Sequence, residues 1–271
     1  TPRFHVAPAN GWHRFLWKMG CHALNTIRWR GAKNERLPVP PQPCFLLPAS
    51  DEIALVIADE RAALEKLGWK LLTCDVDVID RLQSKVRLRD YAEKLGMLNC
   101  LPRHYNSLSH AKVPCMRKGA RGNHGKTVWI VNSREEALEV TGAKDVAGDP
   151  DWLLQEIVPG GTEYSVSLLV RDSQILDAVE TRYEYDRDVY VWPHVEELGR
   201  DSSGRVKPEH IAVMSRFLGG YSGICNFNYK LRPNGEVAIF EVNTRIGADL
   251  ACDVPRDRAR GFFEKLEQLY G

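Results

Sequence analysis

Four side chains in the last fifth of the sequence have the chemistry to hold a metal-bound anion. Asn228 lies in one strand-like run, and Glu241, Asn243 and Arg245 lie in or just after the next, with Pro233-Asn-Gly235 between them. Asn-Gly supplies the positive φ of a tight turn, so 224–232 and 236–243 are predicted to form a hairpin. Residues two apart in a strand project to one side, so Glu241, Asn243 and, if the strand continues, Arg245 share a face, and the hairpin brings Asn228 beside them. One carboxylate and two amide oxygens suit Mg²⁺, which keeps water and phosphate oxygens at its other positions. A guanidinium can hold phosphate or carboxylate bidentately. Taken alone, Asn and Glu at a strand end are most often solvated surface.

A second signal is Ala120-Arg-Gly-Asn-His-Gly-Lys-Thr127, which nearly matches the phosphate-cradling loop G-x-x-x-x-G-K-[ST] but has Ala in place of the first Gly. A P-loop must lead into a helix whose N-terminal N–H groups face the phosphates. Here Val128-Trp-Ile-Val131 follows, a β-branched and aromatic run that predicts a strand, so the P-loop reading fails. What remains is a glycine-rich turn containing Gly122, His124 and Gly125, with Lys118 ending one strand and Lys126 opening the next. Such a turn can fold over polyphosphate, or be a hairpin turn and nothing more. The third signal is Leu153-Leu-Gln-Glu-Ile-Val158, followed by a Pro-Gly-Gly turn and Glu163. A strand ending there leaves backbone groups at Glu156, Ile157 and Val158 for an adenine edge, and Glu163 to accept from ribose hydroxyls.

The elements that must position these residues can be read from periodicity. Cys44–Leu47 is predicted as a strand, then a helix from N-cap Ser50 to Gly68, a strand 69–73, and a helix carrying Leu82, Val86, Leu88, Tyr91 and Leu95 that stops at Gly96. Strands are expected at 112–118, 126–132, 152–158, 163–170 and 174–182, interrupted by a helix with the capping box Ser133-Arg-Glu-Glu136 and closed by Gly142. A polar connector, 186–207, precedes a helix from Pro208 to Gly219. After the hairpin a last helix covers 256–270. Residues 1–43 read as a connector: Trp12, Phe15, Leu16, Trp17 and Met19 could line a helix, but Leu37–Pro43 is too proline-rich for one. The class is α+β.

The 271 residues carry 37 Lys and Arg against 36 Asp and Glu, a formal charge of +1, which removes the electrostatic reason to expect a nucleic-acid or anionic-membrane partner. No apolar run approaches the roughly 18 residues of a membrane span, and the start does not read as a signal peptide. Opening on Thr1 leaves room for a missing or processed initial segment. Seven cysteines, scattered and never in Cys-x-x-Cys spacing, encode neither a disulfide framework nor a zinc site. A soluble, cytoplasmic protein with small-molecule ligands is expected.

In chain order, these pieces resemble the ATP-grasp superfamily from about Cys44 to Ala251. Leu47-Pro-Ala-Ser-Asp-Glu52 is similar to its entry into the central strand-helix pair, and Ser84-Lys85 with Tyr91–Gly96 and Pro102 to its lysine-bearing helix. Pro114-Cys-Met-Arg-Lys118 resembles the second lysine strand, Gly122–Lys126 the flexible loop, Gln155-Glu156 the adenine hinge, Glu163 the ribose carboxylate and Glu241-Val-Asn-Thr-Arg245 the magnesium signature. The resemblance implies ATP and Mg²⁺ (or Mn²⁺) as cofactors. It places Lys85 and Lys118 on the α/β-phosphates, Lys126 and His124 near the polyphosphate, Asn228, Glu241 and Asn243 on metal, and Arg182 and Arg245 on a substrate carboxylate. Lys118 and Arg245 are the residues on which catalysis would rest.

The implied fold is ATP-grasp: two α+β subdomains clamping ATP, a lid at 110–160 and a C-terminal part at 161–271 within a domain 79–271, preceded by an abbreviated N-terminal α/β segment, 1–78. The implied chemistry is Mg·ATP-dependent activation of a carboxylate as acyl phosphate for attack by an amine (or thiol), with small-molecule partners and room for a homodimer. Departures are Gly119 and Thr244 where the family has prolines, and neutral Asn228 at the first metal position. They leave as alternatives a weakened ATP-binding regulatory or structural relative, or an ATP-dependent phosphotransferase. An aromatic group, Tyr183, Tyr185, Tyr190 and Trp192, reads as packing or as a lid.

Overall fold

Ser50 accepts a hydrogen bond from the Ile53 N–H at 3.3 Å, and Asp51 and Glu52 fill the first turn of α1 (Asp51–Asp59), where capping and helix dipole favour the same start. The computed structural model describes residues 4–7, 40, 44–107, 109–120, 128–140, 152–203 and 205–270. The single helix expected up to Gly68 is two, α1 and α2 (Arg61–Lys66), and the second closes at Gly68 with φ of 97°, a conformation Gly adopts without strain. The next expected helix also divides. Between α3 (Val76–Gln83) and α4 (Lys85–Lys94), Ser84 is extended and accepts from the Arg87 N–H at 3.5 Å. The break makes Lys85 the first residue of a helix.

Three sheets carry these helices. The first is parallel, in the order β1 (Phe4–Ala7), β2 (Cys44–Pro48), β3 (Trp69–Lys70). β1 corrects the reading of residues 1–43 as connector: a four-residue strand is too short to show a period, yet it pairs from Phe4 opposite Phe45 to Ala7 opposite Pro48. The helix expected around Trp12 to Met19 lies outside the described residues. The second sheet is antiparallel, in the order β4 (His104–Tyr105), β7 (Trp152–Glu156), β5 (Cys115–Gly119), β6 (Val128–Val131). Beside it, α5 (Arg134–Val140) has half of the expected capping box, Ser133 Oγ accepting from the Glu136 N–H at 3.1 Å, while the Glu136 carboxylate reaches one residue further back and accepts from the Asn132 N–H at 2.7 Å; its expected end at Gly142 lies outside the described residues.

The third sheet is antiparallel, in the order β10 (Glu197–Asp201), β9 (Gln174–Tyr185), β8 (Thr162–Arg171), β11 (Gly223–Leu231), β12 (Val237–Asn243). β10 falls inside the stretch expected to be a polar connector. It is a largely exposed edge strand, so no hydrophobic alternation marks it. One face of this sheet, including Val166, Leu168, Phe227, Tyr229 and Ile239, packs on α3, α4 and α6 (Pro208–Phe217) through Ile79, Leu82, Leu88, Met214 and Phe217. The opposite face is divided along its length. Leu169, Val179 and Ile224 meet Phe262 and Leu266 of α7 (Arg256–Gln268), whereas further along β8 and β11 that same face carries Ser167, Ser165, Asn226 and Asn228. Apolar burial under α7 thus gives way to a polar floor. Among the described residues no helix is long and apolar enough to cross a membrane.

Phe227 sits between the two floor asparagines with its ring fully buried in the main core. Phe227→Ala is expected to cost about 3–5 kcal/mol through lost transfer free energy and a residual cavity. The check is urea unfolding, with a lower midpoint at unchanged slope.

Candidate active site

Two rows of polar side chains cross the floor. Ser165 on β8 is opposite Asn228 on β11, which is opposite Glu241 on β12; one step along, Ser167 is opposite Asn226, which is opposite Asn243. The hairpin register thus delivers Asn228, Glu241 and Asn243 to one face, as strand alternation requires. A β-bulge follows Asn228, so that Tyr229 faces Ile239 and Phe240 is the extra residue. The bulge turns two consecutive side chains, Phe240 and Glu241, into the same cavity. Arg245, just past β12, donates through Nη2 to Asn243 Oδ1 at 3.2 Å and through Nη1 to the Ile246 carbonyl at 3.0 Å.

Lys85 reaches this floor from the start of α4, its Nζ 3.1 Å from Glu241 Oε1, while its backbone N–H donates to the Ala120 carbonyl at 2.8 Å. Lys118, on β5, faces the same space with its Nζ 5.2 Å from the centre of the Phe240 ring. Its neighbour Arg117 points the other way and lies 3.6 Å from the centre of the Trp152 ring. Burial, then the Lys85 charge, pushes the Lys118 ammonium down to about 8. Burial acts to raise Glu241, but Lys85, Arg245 and Lys118 outweigh it and hold the carboxyl at about 2. The centre of the site is therefore an ionised carboxylate among cations.

These groups line a cavity of about 590 Å³, with Gln155, Glu156, Val158 and Glu163 on its wall. Gln155 is buried with Nε2 2.9 Å from His104 Nε2, and burial, aided by Arg89 and Lys118, pushes that imidazole down to about 4. The backbone at Glu156 is less open than its sequence suggested: its N–H donates to the Arg103 carbonyl at 2.8 Å, extending the β4–β7 ladder, and its carboxylate pairs with Arg232. Ile157 is not among the residues lining the cavity, whereas Val158 is. Glu163 accepts from the Tyr190 hydroxyl at 2.8 Å; burial raises its pKa, with Tyr190, Lys230 and Lys118 pulling the other way.

Arg182 does not belong to this group. Tyr183 and Tyr185 of β9 line the cavity, so strand alternation turns Arg182 to the other face, where it is 46% exposed and paired with Glu184. Gly122, His124, Gly125 and Lys126 lie outside the described residues. Three contributors escaped the sequence reading: Lys230, whose Nζ donates to the Gly160 carbonyl at 2.6 Å and lies 4.0 Å from the Tyr190 ring centre; Asn226; and Phe240. The alternating polar set Asn226, Asn228, Lys230 in an otherwise apolar strand was the available signal for the first two. The far end of the cavity holds Arg200 of β10, paired with Glu197 and with Asp253, which also accepts from the Tyr183 hydroxyl at 2.5 Å.

An ionised carboxylate beside amide oxygens is a hard, all-oxygen donor set, which suits a magnesium-like cation and offers nothing to a soft metal. Among the described residues no cluster of three or more His, Cys, Asp or Glu could hold a metal on its own. A cation here would rest on Glu241, Asn243, Asn228 and the oxygens of an anionic ligand.

No family model matches the sequence, and no curated protein matches it significantly. Solved structures do. VanG D-Ala:D-Ser ligase from Enterococcus faecalis superposes with a TM-score of 0.59 at 16% identity, over 84% of this chain and 72% of that one. L-amino acid ligase from Bacillus licheniformis gives 0.56 at 15%, over 75% and 49%. The biotin carboxylase domain dimer of Hydrogenobacter thermophilus 2-oxoglutarate carboxylase, in complex with MgADP, ADP and bicarbonate, gives 0.53 at 15%, over 80% and 52%. The chain thus spans about half the length of the latter two. At these identities the likeness is one of fold: the chain has the ATP-grasp fold.

Proposed function

We propose that the chain is an Mg·ATP-dependent ligase that activates a carboxylate as an acyl phosphate for attack by an amine, or a thiol. The observation that carries this reading is the convergence of Lys85, Lys118, Glu241, Asn243, Asn228 and Arg245 on one cavity whose wall bears Glu163. Lys85 and Lys118 would neutralise the α- and β-phosphates, Glu163 would accept from ribose hydroxyls, and Val158 and Phe240 would enclose the base. Glu241, Asn243 and Asn228 would hold Mg²⁺, which when bound supplies charge neutralisation between phosphates. A substrate carboxylate oxygen, steadied by Arg245, forms a bond to the γ-phosphorus as the bond to ADP breaks. The amine then attacks the acyl carbon, and phosphate leaves as the amine proton is lost. Neither step needs a covalent protein nucleophile; both need positioning and charge. Domain boundaries near 79 and 161, with a lid at 110–160, and a homodimer are parts of the same proposal.

Incubation with Mg·ATP, amino acids and other carboxylates should release ADP and phosphate in the presence of an acceptor. AMP release would sink the acyl phosphate route, a stable phosphorylated product would point to a phosphotransferase, and binding without turnover would favour a regulatory relative, which the neutral Asn228 suits. Glu241→Gln and Lys118→Met should each lower kcat/KM by at least about 10²-fold; an unchanged rate would overturn the assignment.

Lys118 gives a pH dependence of definite sign. Its ammonium, held near 8, is charged below that pH and neutral above it, so ADP affinity should fall by up to about tenfold per pH unit above 8. Lys118→Arg, which stays charged, should flatten the profile; an equally steep fall in this variant would remove Lys118 as the cause.

A further inference from the structure

Beneath the cavity floor lies a buried carboxylate, Asp249, for which the ligase reading has no use, and a polar network joins it to the floor. Asp249, fully buried in a wide π-helical turn (Asp249–Asp253), accepts through Oδ1 from Ser167 Oγ at 2.7 Å and from Asn226 Nδ2 at 3.0 Å. Asn226, 2% exposed, also donates from Nδ2 to Ser165 Oγ at 2.8 Å. Its other end, Oδ1, accepts from Asn243 Nδ2 at 3.4 Å, and Asn243 Oδ1 in turn accepts from Arg245 at 3.2 Å. The chain passes so close that a Cβ on Gly247 would stand 2.1 Å from Asp249 Oδ1 and 2.5 Å from Asn226 Nδ2, so only Gly fits.

An amide side chain can sit in such a network either way round, and its two ends are chemically opposite. Burial raises the Asp249 carboxyl to about 6, so at pH 7.5 it is still ionised and only accepts, and it obliges Asn226 to turn its NH₂ inward. Asn226 then offers an oxygen to Asn243, which must answer with its own NH₂ and so presents its oxygen to Arg245 and the cavity. We infer that Asp249 is a positioning residue: its carboxylate, acting through Asn226, fixes the orientation of the Asn243 amide so that the site offers a divalent cation an oxygen and not an N–H. This rests on the proposal that Asn243 helps hold the metal. The orientation matters more here than in a site with several carboxylates, because an inverted Asn243 would aim a donor at both the cation and Arg245.

Mn²⁺ binding in the presence of ADP, followed by electron paramagnetic resonance at pH 7.5, tests the relay without turnover. Glu241→Gln should weaken Mn²⁺ binding strongly, and Asp249→Asn, which lets Asn226 invert, should weaken it about 10-fold or more while leaving metal-free ADP affinity within about twofold. The exchange Asp249→Asn with Asn226→Asp returns an acceptor to position 226, so it should restore Mn²⁺ affinity to the wild-type value, whereas affinity above wild type would mean that the new cavity-lining carboxylate takes the ion itself and would overturn the relay. If Asp249→Asn fails to fold by thermal melt, the exchange variant decides alone: recovery supports the relay and loss overturns it. Wild-type Mn²⁺ affinity in folded Asp249→Asn, with Glu241→Gln weakened, overturns the relay and leaves the metal site standing. Equal affinity in wild type and Glu241→Gln overturns both.

Discussion

Lys85 and Lys118 leave water beside the partly buried Glu241, and a lysine ammonium in a dry site is costly unless an anion is in reach. The two lysines are 8% and 7% exposed. Glu241, 3.1 Å from Lys85, also acts on Lys118 together with Glu163, while the Lys85 charge makes Lys118 harder to charge. This arrangement constrains three elements at once: α4 must begin at Lys85, β5 must turn Lys118 and not Arg117 inward, and β12 must present Glu241. The Lys85 N–H to the Ala120 carbonyl locks the first of these to the second. Around Glu241 the cations Lys85, Lys118 and Arg245 make the cavity locally positive, while further along its wall Lys230 and Arg200 are matched by Glu156, Glu163, Glu197 and Asp253; the charge is sorted within the cavity, where it is less screened than at the surface.

The sheet that supplies the floor resolves a conflict between stability and chemistry. Its outer face is apolar on β8, β11 and β12, where it packs on α3, α4 and α6, and on β9 it carries Glu180, Arg182 and Glu184. Its inner face is apolar only under α7, then becomes Ser, Asn, Lys and Glu. The polar half is not exposed to bulk water: Ser165, Ser167, Asn226 and Asn243 are all buried and bonded to one another or to Asp249. Groups bonded in this way cost far less to bury than orphaned ones, although Asp249 Oδ2 is left without a hydrogen-bond partner. The N-terminal segment contributes as well, since Asp51 of α1 accepts from the Thr244 N–H at 2.9 Å and lies 3.9 Å from Arg245.

Much of this was legible where a local rule and the tertiary structure agree. The Asn-Gly turn gave the hairpin, and period-two alternation gave Glu241 and Asn243 a common face, because both depend only on neighbours in sequence and on one partner strand. What failed depended on phase or on context. Arg182 was placed on its strand correctly but on the wrong face, since the phase of β9 is set by its pairing with β8 and not by its own residues. The helix breaks at Glu60 and Ser84 carry no Gly or Pro to announce them. β10 exposes nearly all its side chains, so its backbone pairing leaves no pattern in the sequence, and four residues of β1 are too few to make one. The hydrogen bond from the Glu156 N–H to Arg103 joins segments far apart in the chain, which no single-segment reading can show.

The bulge after Asn228 has an implication for how such a cavity can diversify. Strand alternation ties every inward side chain to its neighbours two positions away, so an inserted residue ordinarily inverts everything beyond it. Here the extra residue, Phe240, is absorbed locally, and Glu241 and Asn243 keep their places opposite Asn228 and Asn226. The cavity wall holds an extra ring without any change in the phase of the carboxylate and amide that follow. A position of that kind is free to vary in bulk and polarity while its neighbours stay fixed, which lets ligand preference drift on a frame that does not.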